Sequence, residues 1–228
     1  SQRISSPKTC STILRCSCPR RGIGTFNDRS ILIMEETVSV ADYLFLMEGI
    51  LLIDKPSGIS SFDVIRALRK KFPGLKMGHL GTLDPIATGL LVIFCGSALK
   101  KVKDFGGLEK TYVVTLELGK ISDTFDRTGT VTVTGKAFPD LNDFQKILAT
   151  FEGEQEQITP AFSAVKVRGV RAYRLARKGI PVSLGKRKVR IFDLELLEFS
   201  PPLATLRLSV SSGTYVRSFV HELGEKLS

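Results

Sequence analysis

The densest run of chemistry-bearing residues in this chain is Gly78-His79-Leu80-Gly81-Thr82-Leu83-Asp84-Pro85-Ile86-Ala87-Thr88-Gly89. Glycines at 78, 81 and 89 let the backbone turn sharply or approach a ligand closely. Pro85 steers the residue before it out of helical geometry, so Asp84 is offered from an extended loop just ahead of the apolar run Leu90 to Cys95. A carboxylate placed this way can serve as a nucleophile or a general base. On residue types alone, the same pattern is more often an ordinary Asp-Pro turn. A second concentration is electrostatic. Between Gln157 and Phe192 there is no acidic residue, and ten Lys and Arg side chains fall in that stretch. A solvated face ordinarily mixes both signs. The stretch therefore reads as an RNA-facing surface, with Lys166, Arg171, Arg174 and Lys178 as candidate contacts.

These residues need elements to hold them. Gly49 to Ile53 reads as a buried strand, closed by the turn cluster Lys55-Pro56-Ser57-Gly58. Ser60 and Asp63 have capping-box spacing. Val64, Ile65, Leu68 and Phe72 form one helical face, stopped by Pro73-Gly74. A Gly-rich loop is expected from Gly78 to Asp84, then a strand at Leu90 to Cys95. Thr111 to Leu118 and Thr128 to Thr134 read as strands joined by the segment from Gly119 to Gly129. Phe144, Ile147, Leu148 and Phe151 mark a second amphipathic helix, with Gly153 past its end. Further strands are expected at Ala161 to Val167, Val189 to Glu198 and Leu203 to Val210. A short helix is expected from Arg171 to Lys178, and another starting near Val216. Strand runs with few helices between them indicate an α+β domain around a largely antiparallel sheet.

Composition narrows the class. With 228 residues, 43% hydrophobic and 25% charged, the chain can bury one sizeable core and is not disordered throughout. Its net charge of +10 favours polyanionic partners through counterion release. No apolar run reaches the roughly 20 residues of a spanning helix, and neither a Walker loop nor a dinucleotide fingerprint is present. Cys10, Cys16, Cys18 and Cys95, with His79 and His221, match no zinc spacing. Neither a metal nor a structural disulfide is expected. Residues 1–46 stand apart. The first 27 contain no acid and are rich in Ser, Cys and Arg. That composition fits an organellar transit peptide, but a disordered tail or translated sequence upstream of a start at Met47 is preferred. The expected compartment is the cytoplasm, or an organelle if residues 1–46 are a genuine leader.

Five segments together resemble the TruB-type pseudouridine synthases. Gly78 to Gly89 is similar to that family's central motif, whose Asp is its catalytic residue. Gly49 to Ser61 resembles the opening strand and turn. Lys110-Thr111-Tyr112 with Leu118-Gly119 and Asp123 to Gly129 resembles the second motif. Thr159 to Lys166 with Gly169, Tyr173, Ala176 and Arg177 resembles the third, and Gly213 to Ser218 the last catalytic strand. The likeness covers about residues 48–228. It implies a pseudouridine synthase fold, with a largely antiparallel mixed sheet flanked by helices and a catalytic domain over residues 47–228. The implied reaction turns uridine into pseudouridine in the T-arm loop of tRNA, at position 55. The N1–C1′ bond breaks, the base turns, and C5 joins C1′. Nothing is oxidised overall, so no redox cofactor is required.

By the same resemblance Asp84 is the catalytic carboxylate, and whether it attacks sugar or base or removes a sugar proton stays open. Arg217 is its ion-pair partner, Tyr112 stacks on the target base, Asp126 partners the arginine, and His79 helps hold the flipped nucleotide. The base must leave its stack to react. The expected partner is the tRNA T stem-loop, bound by a monomer, with no membrane and no protein partner evident. Two features depart from the family. Phe162 stands where tyrosine is common, and the chain ends at Ser228 where family members continue with a helix and strand that complete the pocket wall. A guide-RNA-dependent dyskerin-type synthase and a catalytically impaired tRNA-binding module are the alternatives. The text Ser57-Gly58-Ile59-Ser60-Ser61 and Ile86 to Leu90 favours the stand-alone branch.

Overall fold

The computed structural model describes residues 49–227. Expectations for residues 1–46, including three of the cysteines, lie outside the described residues. Two apolar clusters organise the chain, each built against an antiparallel sheet. The smaller sheet has the order β1-β3-β2, from β1 (Gly49–Lys55), β2 (Met77–Leu80) and β3 (Gly89–Cys95). Helix α1 (Ser61–Lys71) lays Val64, Ile65 and Leu68 on its inner face, against Met77, Leu91, Ile93 and Cys95. The helix begins where the Ser60 side chain accepts from the Asp63 amide while the Asp63 carboxylate accepts from the Ser60 amide. It stops with Phe72 as C-cap, ahead of Pro73. The capping-box and helix-face expectations hold.

The first strand differs from expectation. It is not buried on both faces, for Leu51 and Ile53 pack inward while Ile50 and Leu52 are 43% and 56% exposed. A continuous apolar run marks a strand but not how many layers cover it, and here α1 covers one face. The expected Gly-rich loop also shortens. Met77–Leu80 is paired with β3, His79 opposite Ile93 and Leu80 opposite Val92. The loop proper is residues 81–88, and it leaves the strand through Gly81 at φ +76°, a conformation unfavourable for other residues.

The larger sheet has the order β4-β11-β10-β7, from β4 (Lys110–Glu117), β7 (Gly153–Ile158), β10 (Lys186–Ser200) and β11 (Leu203–Val210). Helices α2 (Leu141–Ala149) and α4 (Val216–Lys226) supply Phe144, Leu148, Phe219 and Leu223 to a core that includes Leu206 and Leu208. Full burial of each such side chain contributes about 1.5–3 kcal/mol. A 3-10 helix (Gly96–Phe105), the hairpin β5 (Lys120–Ser122) with β6 (Val131–Val133), and the hairpin β8 (Lys166–Val167) with β9 (Val170–Arg171) followed by α3 (Ala172–Ala176) complete the described residues. Every strand pair among them is antiparallel. The α+β reading stands.

Three strand expectations change, each for a local reason. Ala161 to Val167 keeps only its last two residues as strand, because the carbonyls of Ser163 and Val165 accept from Tyr173 and Ala172 and dock the start of α3 instead of a ladder. Thr128 to Thr134 shrinks to Val131–Val133 and pairs with β5 rather than β4, since Thr128 is committed to Asp126. Strand β7 was not expected, because Gly-Glu-Gln-Glu-Gln-Ile carries almost no apolar signal. It is held by register against β10, with Glu154 opposite Arg190 and Glu156 opposite Lys188, pairings that favour an antiparallel ladder.

The cap on α1 is a direct test of this local reading. Ser60→Ala should lower folding stability by about 1 kcal/mol, seen as a lower urea midpoint with unchanged slope. Lys146→Ala, which removes a solvent-exposed ion pair to Asp143, should shift stability by less than about 0.5 kcal/mol. Equal midpoints for Ser60→Ala and the parent chain would mean the cap does not hold the helix.

Candidate active site

The loop carrying Asp84 is fixed from beneath by the turn that follows β1. Gly58 N donates to the Pro85 carbonyl at 2.8 Å, Ser57 Oγ donates to Ile86 at 3.1 Å, and Lys55 Nζ donates to Pro85 at 3.3 Å. Ser61 Oγ accepts from Leu83 N at 2.9 Å and donates to the Leu83 carbonyl at 3.1 Å. The loop's own turn closes with Ala87 N donating to Asp84 O at 3.0 Å. An Asp at the first position and Pro at the second are favoured turn chemistry. Asp84 thus opens an ordinary Asp-Pro turn, and the clamps beneath it fix where its carboxylate is presented.

Arg217 brings the two carboxylates together. Its Nη1 lies 2.9 Å from Asp84 Oδ1 and 3.7 Å from Asp126 Oδ2. Its Nη2 donates to the Phe162 carbonyl at 2.8 Å. The arginine and Asp126 side chains are 10% and 12% exposed, while Asp84 keeps 39%. The buried charges are therefore paired, and the one carboxylate that remains reachable is Asp84. Arg217 is not on a strand as its motif implied. β11 ends at Val210, and Arg217 sits in the first turn of α4.

Asp126 is held in a cage of donors. Thr128 N, Thr128 Oγ1 and Thr124 Oγ1 reach Asp126 Oδ1 at 2.8, 2.5 and 2.9 Å. A Cβ on Gly129 would run into the Asp123 carboxylate and the Thr124 hydroxyl, so the turn needs glycine there. Burial pushes the Asp126 carboxyl up. The Thr128 and Thr124 hydrogen bonds and the Arg217 charge outweigh it and hold the carboxyl below its usual range. Asp84 balances the other way. Burial and the nearby Asp126 charge raise it above the usual carboxylate range despite the opposing Arg217 and Lys55 charges.

Tyr112, on β4, packs against the larger core, and its phenol is pushed up by burial and by the negative charge of Asp84. It stays protonated at neutral pH and is equipped to donate. His79, on β2, engages the carbonyl of Gly81 through Nδ1. That contact requires the N–H on Nδ1 and makes the residue part of the loop's frame. Lys166, Arg171, Arg174 and Lys178 are all exposed, although Arg171 Nη1 also donates to the Ala164 carbonyl at 2.8 Å. Among the described residues no group of three or more His, Cys, Asp or Glu is arranged to hold a metal ion, and no helix is long and apolar enough to cross a membrane.

Two supporting residues went unrecognised in the sequence. Lys55 is fully buried, with Nζ donating also to Pro56 and Ile59 at 2.9 and 2.8 Å. Burial lowers its pKa, and the Asp84 charge opposes that shift. A lysine ending an apolar strand was the available signal. Gln157 is 2% exposed and binds the backbone of Tyr215. Nothing in its polar surroundings along the chain marked it.

The chain has clear relatives among known proteins. The model of the TruB family pseudouridylate synthase N-terminal domain matches residues 67–216, a span that includes Asp84, Tyr112 and Asp126. The tRNA pseudouridine synthase B of Aquifex aeolicus is 44% identical over 183 residues, covering 79% of this chain and 64% of the relative. That of Caldicellulosiruptor saccharolyticus is 42% identical over 182 residues, covering 80% and 63%. The chain thus spans just under two thirds of the length of these two relatives. The corresponding protein of Opitutus terrae is 41% identical over 182 residues, covering 79% of this chain and 76% of its own. Among solved structures, a Cbf5-Nop10-Gar1 complex contains a chain with TM-score 0.60 and 26% identity, covering 84% of this chain and 47% of that one. An H/ACA RNP bound to a substrate RNA containing 2′-deoxyuridine shows the same fold at TM-score 0.59 and 23% identity, covering 82% and 45%. The family model matches more than half of the chain, and the chain belongs to the TruB family of pseudouridylate synthases.

Proposed function

We propose that this protein isomerises uridine to pseudouridine in the T-arm loop of tRNA, at position 55, with Asp84 as the reacting carboxylate. The observation that carries the reading is the state of Asp84, ion-paired to the buried Arg217 yet still open to a substrate. In the reaction the N1–C1′ bond breaks, C5 bonds to C1′, and the proton lost from C5 is balanced by one gained at N1. The target uridine is flipped out of its stack. Tyr112 lies beside it with its hydroxyl protonated, and Arg217 keeps Asp84 charged in a partly dry site. The protein works on tRNA as a monomer in the cytoplasm. The stand-alone branch is favoured over a guide-dependent one by 40–44% identity to proteins named tRNA pseudouridine synthase B, against 26% to a chain of the Cbf5-Nop10-Gar1 complex.

The test is pseudouridine formation in a T-arm stem-loop. Asp84→Asn keeps shape and loses charge, so turnover should fall on the order of 10⁴-fold or more while RNA affinity changes little. Stability should move the other way. The raised pKa of Asp84 means its ionisation costs folding free energy, a cost that appears as pH rises through the unfolded value towards the folded one. Asp84→Asn should therefore melt no lower than the parent chain at pH 7. Activity near that of the parent would remove Asp84 from the mechanism.

The basic segment is proposed to bind RNA backbone. Arg171→Gln, Arg174→Gln and Lys178→Gln together should weaken binding and reduce the slope of log K against log salt by about 2, at roughly 0.7 per phosphate contact. An unchanged slope would show that these side chains face solvent only.

A further inference from the structure

We propose that Gln157 is a positioning residue for this site: its buried amide grips Tyr215 by both backbone groups and thereby sets Arg217, two residues on, against Asp84 and Asp126. The inference rests on the isomerase reading above for its effect on turnover, but not for its geometry. Gln157 Oε1 accepts from Tyr215 N at 2.7 Å, and Gln157 Nε2 donates to Tyr215 O at 3.0 Å. Tyr215 is the N-cap of α4 and makes no side-chain capping bond. The start of this helix is therefore fixed by a side chain from β7 rather than by its own sequence.

The consequence for Arg217 is geometric. A helix turns about 100° per residue and rises about 1.5 Å. A small slip or rotation at Tyr215 would carry the guanidinium off both carboxylates. Two further bonds run along the same seam. Ile158 N donates to Glu222 Oε1 at 2.7 Å, and Arg217 Nη2 donates to Phe162 O at 2.8 Å. Strand β7 and the segment after it thus track α4 from its cap to its second turn. The residue type matters as well. An amide offers a donor and an acceptor without charge, which is what one peptide's N–H and C=O require at 2% exposure. An apolar residue would leave Tyr215 N unpaired and its carbonyl with only the Phe219 amide, 3.1 Å away, and a glutamate would carry the donor only when protonated.

The experiment uses the full chain with three substitutions. Gln157→Met keeps the length and removes both bonds. Gln157→Glu keeps the acceptor. Leu148→Ala destabilises the larger core while leaving both partners of the Gln157–Tyr215 bonds in place. Each is read by kcat and KM for pseudouridine formation and by ¹³C NMR titration of the Asp84 carboxyl. In Gln157→Met, kcat should fall ~10- to 100-fold through misplacement, with a smaller change in KM. The Asp84 midpoint should move upward as Arg217 loses its place, and Leu148→Ala should move neither. Gln157→Glu should recover towards the parent as pH is lowered and its donor returns. An Asp84 midpoint that stays with the parent in both Gln157 variants overturns the proposal, even if kcat falls. If the parent chain forms no pseudouridine, the functional reading fails, and the NMR midpoint still decides the role of Gln157. Should Gln157→Met not fold, Gln157→Glu carries the same comparison.

Discussion

Arg217 reaches two carboxylates with one nitrogen, at 2.9 Å from Asp84 and 3.7 Å from Asp126, and the site depends on how that single charge is shared. A reacting carboxylate must be ionised, while removal from water opposes ionisation. The chain resolves the conflict unequally. Asp126 receives three further hydrogen bonds from Thr124 and Thr128, so its charge is secure without the arginine. Asp84 receives no such cage, and its carboxyl is raised by burial and by Asp126. The better-solvated carboxylate is thus also the one held nearer to protonation. Perturbed ionisation of this kind is characteristic of groups that react.

The remaining architecture follows from holding these three residues, which come from different parts of the chain. Asp84 hangs from the smaller sheet, between β2 and β3, and is clamped by the turn after β1. Asp126 lies in the turn between β5 and β6. Arg217 begins α4, which packs Phe219 and Leu223 into the larger core. Packing the apolar face of α4 sets its depth, and the bonds from Gln157 and Ile158 set its register. Burial and hydrogen bonding therefore answer different questions. The first keeps the helix on the sheet, and the second says where along it the guanidinium points.

What could be read from the sequence divides along the same line. Helix α1 was legible because its cap, apolar face and stop are all local. Strands β3 and β11 were legible because long apolar runs leave little choice. Asp84 stood out by its glycines and Pro85, but local pattern could not separate a reacting carboxylate from a turn, and the structure shows that it is in a turn. Arg217, Tyr112 and Asp126 could be named only through family resemblance, since nothing near them in the chain announces a shared site. Lys55 and Thr128 lie in segments that carry the resemblance, but the bonds they make, and the role of Gln157, were not recognised. Lys55 and Gln157 bond backbone groups of Pro85 and Tyr215, met only after folding, while Thr128 bonds Asp126 within one local turn. β7 escaped because its run carries no apolar alternation, and the ladder partners on β10 that hold it are met only after folding.

The most direct measurement of the central claim is the pH dependence of kcat/KM for uridine isomerisation, in the parent chain and in Arg217→Lys. Because burial raises Asp84 and the reaction needs its ionised form, activity should rise with pH through a midpoint above the ordinary carboxylate range. Lysine is a poorer partner than the forked guanidinium, so it favours the charged form less and that midpoint should move higher still. An acid limb at the ordinary carboxylate value, or one that is identical in the two proteins, would contradict a site in which Arg217 governs the ionisation of a reacting Asp84.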